Sequence, residues 1–283
     1  RVRPSLDDKI LTDWNGLTIS SLAKAWRIFK NPIYLDTAMN GFEFIKTNMV
    51  SEDYSLFHCY RNGHVAIKGL LDDYSFLTKG CIDLYESTLD SEILTYGVGI
   101  CKKMVDLFWD KERGSFFMTR GDDVDIIVRQ KNLLDGAIPS GNSVALYDLV
   151  KIGNYTNDEQ FNEKAKKLSS QLGAMAKKFP INLGQFLANH YSLLSENIQI
   201  VILNKGKKPN FKNDVVNYLL SFEHPNKSIF YVSSEKDKKI YNDILLNSDF
   251  IPDLTDEFQI FICKDYTCNL PVSSLREIKE ILE

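Results

Sequence analysis

Asp135-Gly-Ala-Ile-Pro-Ser-Gly-Asn-Ser143 puts a carboxylate, a Pro-Ser-Gly turn and an amide at the head of an apolar helix. Two other stretches open helices in the same way: Asp7-Asp-Lys-Ile-Leu-Thr-Asp-Trp-Asn-Gly16 and Gly69-Leu-Leu-Asp-Asp-Tyr-Ser75. Three polar thresholds, each leading into an apolar helix, describe a repeated architecture whose polar groups gather at one end.

Outward from these thresholds the apolar period is helical from Leu17 to about Ser195, and the helices come in pairs. Leu17–Lys30 carries Ile19, Leu22, Trp26 and Phe29 on one face. After Asn31-Pro32 the next helix carries Leu35, Ala38, Phe42, Ile45 and Met49. Asp72–Ser87 and a helix through Leu94, Val98, Cys101, Val105 and Phe108 make the second pair. The third is Asn142–Ile152 with a helix from Phe161 to Phe179, and a seventh helix covers Leu183–Leu194. Hairpin-like inserts separate the pairs: Ser55–Ile67 around Asn62-Gly63, a type I′ turn dipeptide, and Ser115–Arg129 with Gly121-Asp-Asp123 at its tip. The period of roughly 60–70 residues marks a repeat fold. Near Glu196 the pattern changes. Ile198–Leu203, Ser228–Val232 and Phe258–Cys263 read as buried strands, each followed by a helix, which predicts a short parallel sheet. The chain therefore reads as residues 1–195, part of an (α/α) toroid of helical hairpins, followed by 196–283, a small α/β unit.

Composition excludes several classes. The 283 residues are 44% hydrophobic and 25% charged, with 34 basic against 38 acidic side chains and a net charge of −4. No basic stripe of the kind that binds a nucleic-acid backbone is present. No apolar run approaches the ~20 residues of a membrane span. Five scattered cysteines suit a reducing compartment, with Cys81 and Cys101 as small buried hydrophobes. The expected location is cytoplasmic, with an organelle left open because the chain begins inside a motif. Neither cofactor nor metal is expected: His58-Cys59 with His64 is an incomplete ligand set, and Cys263-x₄-Cys268 lacks a second pair, so a structural role is favoured for those two cysteines. Asn204-Lys-Gly-Lys-Lys208 fits no phosphate-loop pattern and reads as a solvated loop.

In a ring of hairpins the first helix of each pair forms the inner wall, and all inner helices run parallel. Their N-termini then share one mouth, whose positive helix ends favour anionic or polyhydroxyl ligands. This places Asp8, Trp14 and Asn15 near Asp73 and Tyr74, and near Asp135, Ser140 and Asn142. Asp8, Asp73 and Asp135 are the acid/base candidates. Trp14 and Tyr74 are candidate stacking surfaces and Arg129 a candidate anion clamp, with Asn15, Ser140 and Asn142 as polar contacts. Ser, Asp and Asn are also the commonest helix N-caps, so Asp72 and Ser140 read equally as caps.

The motifs Arg3-Pro4, Asp7-Asp8-Lys9, Trp14-Asn15-Gly16-Leu17, Asp72-Asp73-Tyr74, Arg129-Gln-Lys131 and Asp135–Ser143, with the ending Cys263–Pro271, resemble the YyaL-type proteins. These are similar to the spermatogenesis-associated thioredoxin-like proteins of animals. The resemblance implies an upstream thioredoxin-like domain and a six-hairpin toroid like those of N-acylglucosamine 2-epimerases and six-hairpin glycosidases. It also implies that the first half of the ring and the thioredoxin-like domain lie outside this chain, as partners for an apolar edge. The two-histidine epimerase design does not carry over. If Asn62-Gly63 is the turn, His58 and His64 lie on opposite faces of their hairpin, and His190 and His224 read as structural or surface residues.

Three functions compete. The first is a carbohydrate-active toroid, epimerase- or glycosidase-like, acting on a small-molecule or sugar ligand. The second is a non-catalytic scaffold working with a thioredoxin-like domain. The third is a redox role for Cys263 and Cys268. Convergence of Asp8, Asp73, Asp135 and Arg129 around an open cavity favours the first, and their use as caps and ion pairs favours the second.

Overall fold

A computed structural model describes residues 1–4, 6–207, 209–210, 213–246, 251–265 and 267–282. A short strand β1 (Ile10–Leu11) leads into α1 (Thr12–Phe29), which turns back into α2 (Pro32–Asn48). The hairpin β2 (Phe57–Arg61) and β3 (His64–Lys68) follows, then α3 (Leu71–Thr88) and α4 (Ser91–Phe108). A long connection reaches α5 (Gly141–Thr156) and α6 (Glu159–Ala176), and a 3₁₀ turn at Pro180–Leu183 enters α7 (Gly184–Leu194).

The three helical turns share one local chemistry. Lys30, Leu89 and Asn157 each close a helix in the left-handed conformation, with φ of 55°, 59° and 52°. Each is followed by Asn31, Asp90 or Asp158, whose side chain accepts a hydrogen bond from the N–H two residues on. A left-handed C-cap and an Asx N-cap together reverse the chain in two residues. The first helices of the pairs then lie side by side in the order α1, α3, α5, α7, while α2, α4 and α6 back them. This is the inner and outer wall of an (α/α) toroid.

Close approach fixes the α1–α3 crossing. A Cβ built on Gly16 would lie 2.5 Å from the Phe76 backbone carbon, and one on Gly80 would lie 2.9 Å from the Gly16 carbonyl oxygen. Backbone cannot yield as a flexible side chain can. Gly16→Ala is therefore expected to cost about 1–3 kcal/mol, the usual range for overpacking, as read by urea unfolding. A change within error would mean that the helices can part without cost.

The β2–β3 hairpin turns at Asn62-Gly63, with Arg61 opposite His64 and both turn residues at positive φ, and β1 adds a third strand to β2. The second insert departs from expectation. Residues 115–129 form turns and one isolated bridge, Trp109 with Phe116, instead of strands. Their backbone groups bond across the loop, Met118 to Gln130 and Gly121 to Leu107, so the Gly121-Asp-Asp123 tip closes an irregular loop.

Beyond residue 196 come β4 (Ile198–Leu203), α8 (Asp214–Ser221), β5 (Lys227–Val232), α9 (Glu235–Ile244), β6 (Gln259–Lys264), β7 (Thr267–Cys268) and α10 (Leu275–Leu282). The strand order is β5-β4-β6-β7. β4 and β5 are parallel as expected from their crossover helix, but β6 runs antiparallel to β4, so the sheet is mixed. The connection after α9 returns along the helical layer through Ile251 and Leu254 and enters the sheet from the other end. Val201, Leu203, Phe230 and Val232 join the core of the helical layer, while Ile200, Ile202, Ile229 and Ile262 form a second core beneath α8 and α10. Cys263 and Cys268 sit opposite each other on β6 and β7 and are joined by a disulfide, a structural link that pins the β7 edge. Cys81 and Cys101 are buried. The loop after β4 is exposed at Lys205, which pairs with Asp256, while Lys208 lies outside the described residues.

Candidate functional site on the inner face

The N-termini of α1, α3, α5 and α7 gather at one end, as the thresholds require, and carboxylates bridge them. Asp73 accepts from the Asp13 N–H of α1 at 3.0 Å, and Asp135 accepts from the Gln185 N–H of α7 at 2.8 Å. Most of the residues proposed for chemistry do structural work there. Asp135 also holds the Ser140 N–H, Ser140 caps α5 through the Ser143 N–H, and Asn142 closes both backbone groups of Phe116 and the Asn132 carbonyl. Arg129 donates to the Thr119 and Leu107 carbonyls and lies over the Phe117 ring, so its guanidinium is engaged in organising the irregular loop. Asp8 is exposed and paired with Arg61 at 2.5 Å. Asn15 donates to the Leu11 carbonyl. Tyr74 is fully buried against Phe108 and accepts from the Leu56 N–H, which removes it as a stacking surface, whereas Trp14 is 59% exposed. Asp8, Asp73, Asp135 and Arg129 thus fail to converge, because helix ends and loop turns claim their polar atoms first.

Asp73 stands apart. It is fully buried, reaches back to the Leu70 N–H at 2.8 Å, and holds His58 Nδ1 at 2.9 Å and 3.1 Å through its two oxygens. A buried carboxylate bonded to Nδ1 fixes the neutral ring as the Nδ1–H tautomer and leaves Nε2 free to exchange a proton. The hydrogen bond and charge of Asp73 raise the His58 pKa against partial burial. Burial, with Asp73 and Asp13 beside it, raises Asp72 to about 6, and burial with the Asp73 charge raises Asp13. Asp13, His58 and Asp73 offer ligand atoms within 4.8 Å of one another. Both Asp73 oxygens are already accepting, so the donor set favours proton sharing over a metal ion.

From Asp13 and Asp72 a polar stripe descends the inner face. Asp13, Ser20, Lys24 and Arg27 on α1 are seven, four and three residues apart, and Asp72, Lys79, Asp83 and Glu86 repeat these intervals on α3. Ser140, Tyr147, Lys151 and Asn154 repeat them again on α5. Asp83 is fully buried and accepts from Ser20 Oγ at 2.5 Å, Lys79 at 3.1 Å and Tyr147 Oη at 3.2 Å, with Lys24 at 3.5 Å and Arg27 at 3.7 Å. Glu86 pairs with Arg27 at 3.0 Å and with Lys151. Burial pushes both acids up, but these cations outweigh it and hold each below its usual range. The lower charged groups of the stripe, with Tyr147, line a hollow of about 290 Å³ bounded also by Gln185, Asn189 and Ser192 of α7 and by Glu223 and His224.

Sequence reasoning missed Asp13, His58 and this stripe. The 7-4-3 interval shared by three helices was the available signal for the stripe. No local signal places His58 against Asp73, because their contact depends on how the hairpin folds over α3.

Parallel inner helices backed by antiparallel outer ones, with a polar inner face, define part of an (α/α) toroid. The chain is homologous along its whole length to spermatogenesis-associated protein 20. It is 24% identical over 292 residues to the Homo sapiens protein and 25% to that of Rattus norvegicus, covering all of this chain and 37% of each relative. An uncharacterized protein of Caenorhabditis elegans is 25% identical over 288 residues, with 38% of it covered. The chain therefore spans little more than a third of the length of the curated relatives it matches. No family model matches. A family 76 glycoside hydrolase from a bovine Bacteroides thetaiotaomicron strain superposes with a TM-score of 0.54 at 14% identity, over 77% of this chain and 48% of that one, and shows the toroid fold. Cellobiose 2-epimerase from Bacillus thermoamylovorans gives 0.49 over 57% of this chain and 44% of its own. Among the described residues no helix is long and apolar enough to cross a membrane.

Proposed function

We propose that the protein is a carbohydrate-active toroid, in which His58 and Asp72 exchange protons with a hydroxyl-rich ligand lying along the inner face. The observation that carries this is the buried Asp73 orienting His58 beside a carboxyl group poised near pKa 6. A carboxyl group raised to about 6 by burial and an imidazole whose pKa its carboxylate partner raises are suited to general acid–base work. Asp83 and Glu86 are unsuited to donating a proton, because their cations keep them ionised. Their role is to hold those cations and to accept hydrogen bonds. The exposed Trp14 ring at the same mouth suits an apolar sugar face. The rest of the ring, and a thioredoxin-like domain, would come from the remainder of the protein.

The test is a sugar and oligosaccharide panel with His58→Gln and Asp72→Asn. Each is expected to lower turnover about 10²-fold or more, while circular dichroism stays unchanged. An NMR titration should place the His58 pKa above its ordinary value and return it on Asp73→Asn. Unaltered turnover in both variants, or a His58 titration indifferent to Asp73, refutes the acid–base assignment. The scaffold reading then stands, supported by the capping roles of Asp135, Ser140 and Asn142.

A further inference from the structure

We infer that the inner-face hollow takes an anionic ligand, a sugar bearing a carboxylate or a phosphate. The inference rests on the reading that this face holds the ligand. It stands on charge and geometry around the hollow. Lys24, Arg27, Lys79 and Lys151 converge on only two buried acids, Asp83 and Glu86. Behind them Lys227 is buried, donating to the Leu219 and Phe222 carbonyls. Glu223 at the rim is the third acid, and it is exposed. Among the described residues four cations thus line the hollow against three acids, and one of those acids is solvated.

An excess of buried positive charge is costly unless an anion offsets it. The site is built to accept one. Lys24 is half-exposed at the hollow, and Lys79 Nζ lies 3.8 Å from the centre of the Tyr147 ring, which holds it in place. His224 adds a neutral donor: its Nδ1 accepts from the Asn226 N–H, so a neutral ring carries its proton on Nε2. Its ring is fixed by stacking on Phe222. Arg27 is 7% exposed and committed to Glu86 at 3.0 Å, so Lys24, half-exposed and paired with Asp83 at the longer distance of 3.5 Å, is the cation best placed to turn toward an arriving anion.

Calorimetry on the purified protein decides the matter, with glucuronate, glucose and inorganic phosphate titrated separately. Lys24→Met, an exposed-side substitution that preserves the stem, is the variant. Glucuronate is expected to bind at least about tenfold tighter than glucose, because a single partly desolvated charge contact suffices for that ratio. Lys24→Met should remove most of the difference between the two sugars, and 0.5 M salt should weaken glucuronate selectively. Phosphate binding that Lys24→Met abolishes, with neither sugar bound, keeps the anion site and removes the sugar reading. Equal binding of glucose and glucuronate, indifferent to Lys24, keeps the sugar reading and overturns the anion. No binding by any of the three overturns both.

Discussion

Asp83→Leu will destabilise the protein by about 3–5 kcal/mol, the range expected when one partner of a buried ion pair is removed. The side chain is fully buried and serves five groups at once: Ser20, Lys24, Arg27, Lys79 and Tyr147. Removing it leaves Lys79 as a buried ammonium whose pKa burial already pushes down. The loss therefore comes mainly from uncompensated charge, and the double variant Asp83→Leu with Lys79→Met should recover part of it. The sign with pH follows from the depressed folded pKa of Asp83. Its contribution is full above the unfolded carboxylate value, about 3.9, and drains away as pH falls below that toward the folded value. Asp83→Asn should accordingly make acid unfolding shallower. Urea titrations at several pH values check both statements, and a cost under about 1 kcal/mol, typical of exposed pairs, would show the cluster to be solvated.

Asp148→Asn will change stability in the opposite sense. Asp148 on α5 is fully buried, and neither carboxylate oxygen has a hydrogen-bond partner among the described residues. Burial pushes its pKa well above the ordinary value, with Asp83 adding and Lys79 opposing. The folded chain therefore keeps a proton that the unfolded chain sheds above about pH 3.9. Stability from this residue falls by about 1.4 kcal/mol for each pH unit between that value and the folded pKa. The amide keeps the shape and does not titrate. Over that interval the variant should therefore gain on wild type as pH rises, by up to about 1.4 kcal/mol per unit. Urea unfolding of both proteins across that range reads it directly, and parallel stability curves would contradict a protonated Asp148.

The helical pairs were legible because each rests on local rules. Ile19, Leu22 and Trp26 repeat at helical spacing, and Lys30-Asn31, Leu89-Asp90 and Asn157-Asp158 write the turns in adjacent residues. The Asn62-Gly63 turn was equally local. The second insert misled because Gly121-Asp-Asp123 signals a reversal without saying whether flanking residues will find strand partners. There Asn142 and Arg129 take the carbonyls that a hairpin would pair. The antiparallel β6 was illegible for a related reason, since a crossover's path depends on the layer it runs along.

The sequence by itself determined the repeat, the inner and outer helices, and the gathering of Asp73 and Asp135 at one end, because periodicity and capping are properties of neighbouring residues. Tertiary structure alone decided which polar groups do more than cap. Asp135 and Asp73 begin as similar helix-end acids. The first is used up by two backbone N–H groups, and the second acquires His58 because the β2–β3 hairpin folds over α3. Likewise no local signal in the sequence sets Asp83 and Glu86 apart. They become the floor of a chamber only when α1, α5 and α7 bring their cations and amides around them, since charge at a distance in sequence has no meaning until burial removes the water between.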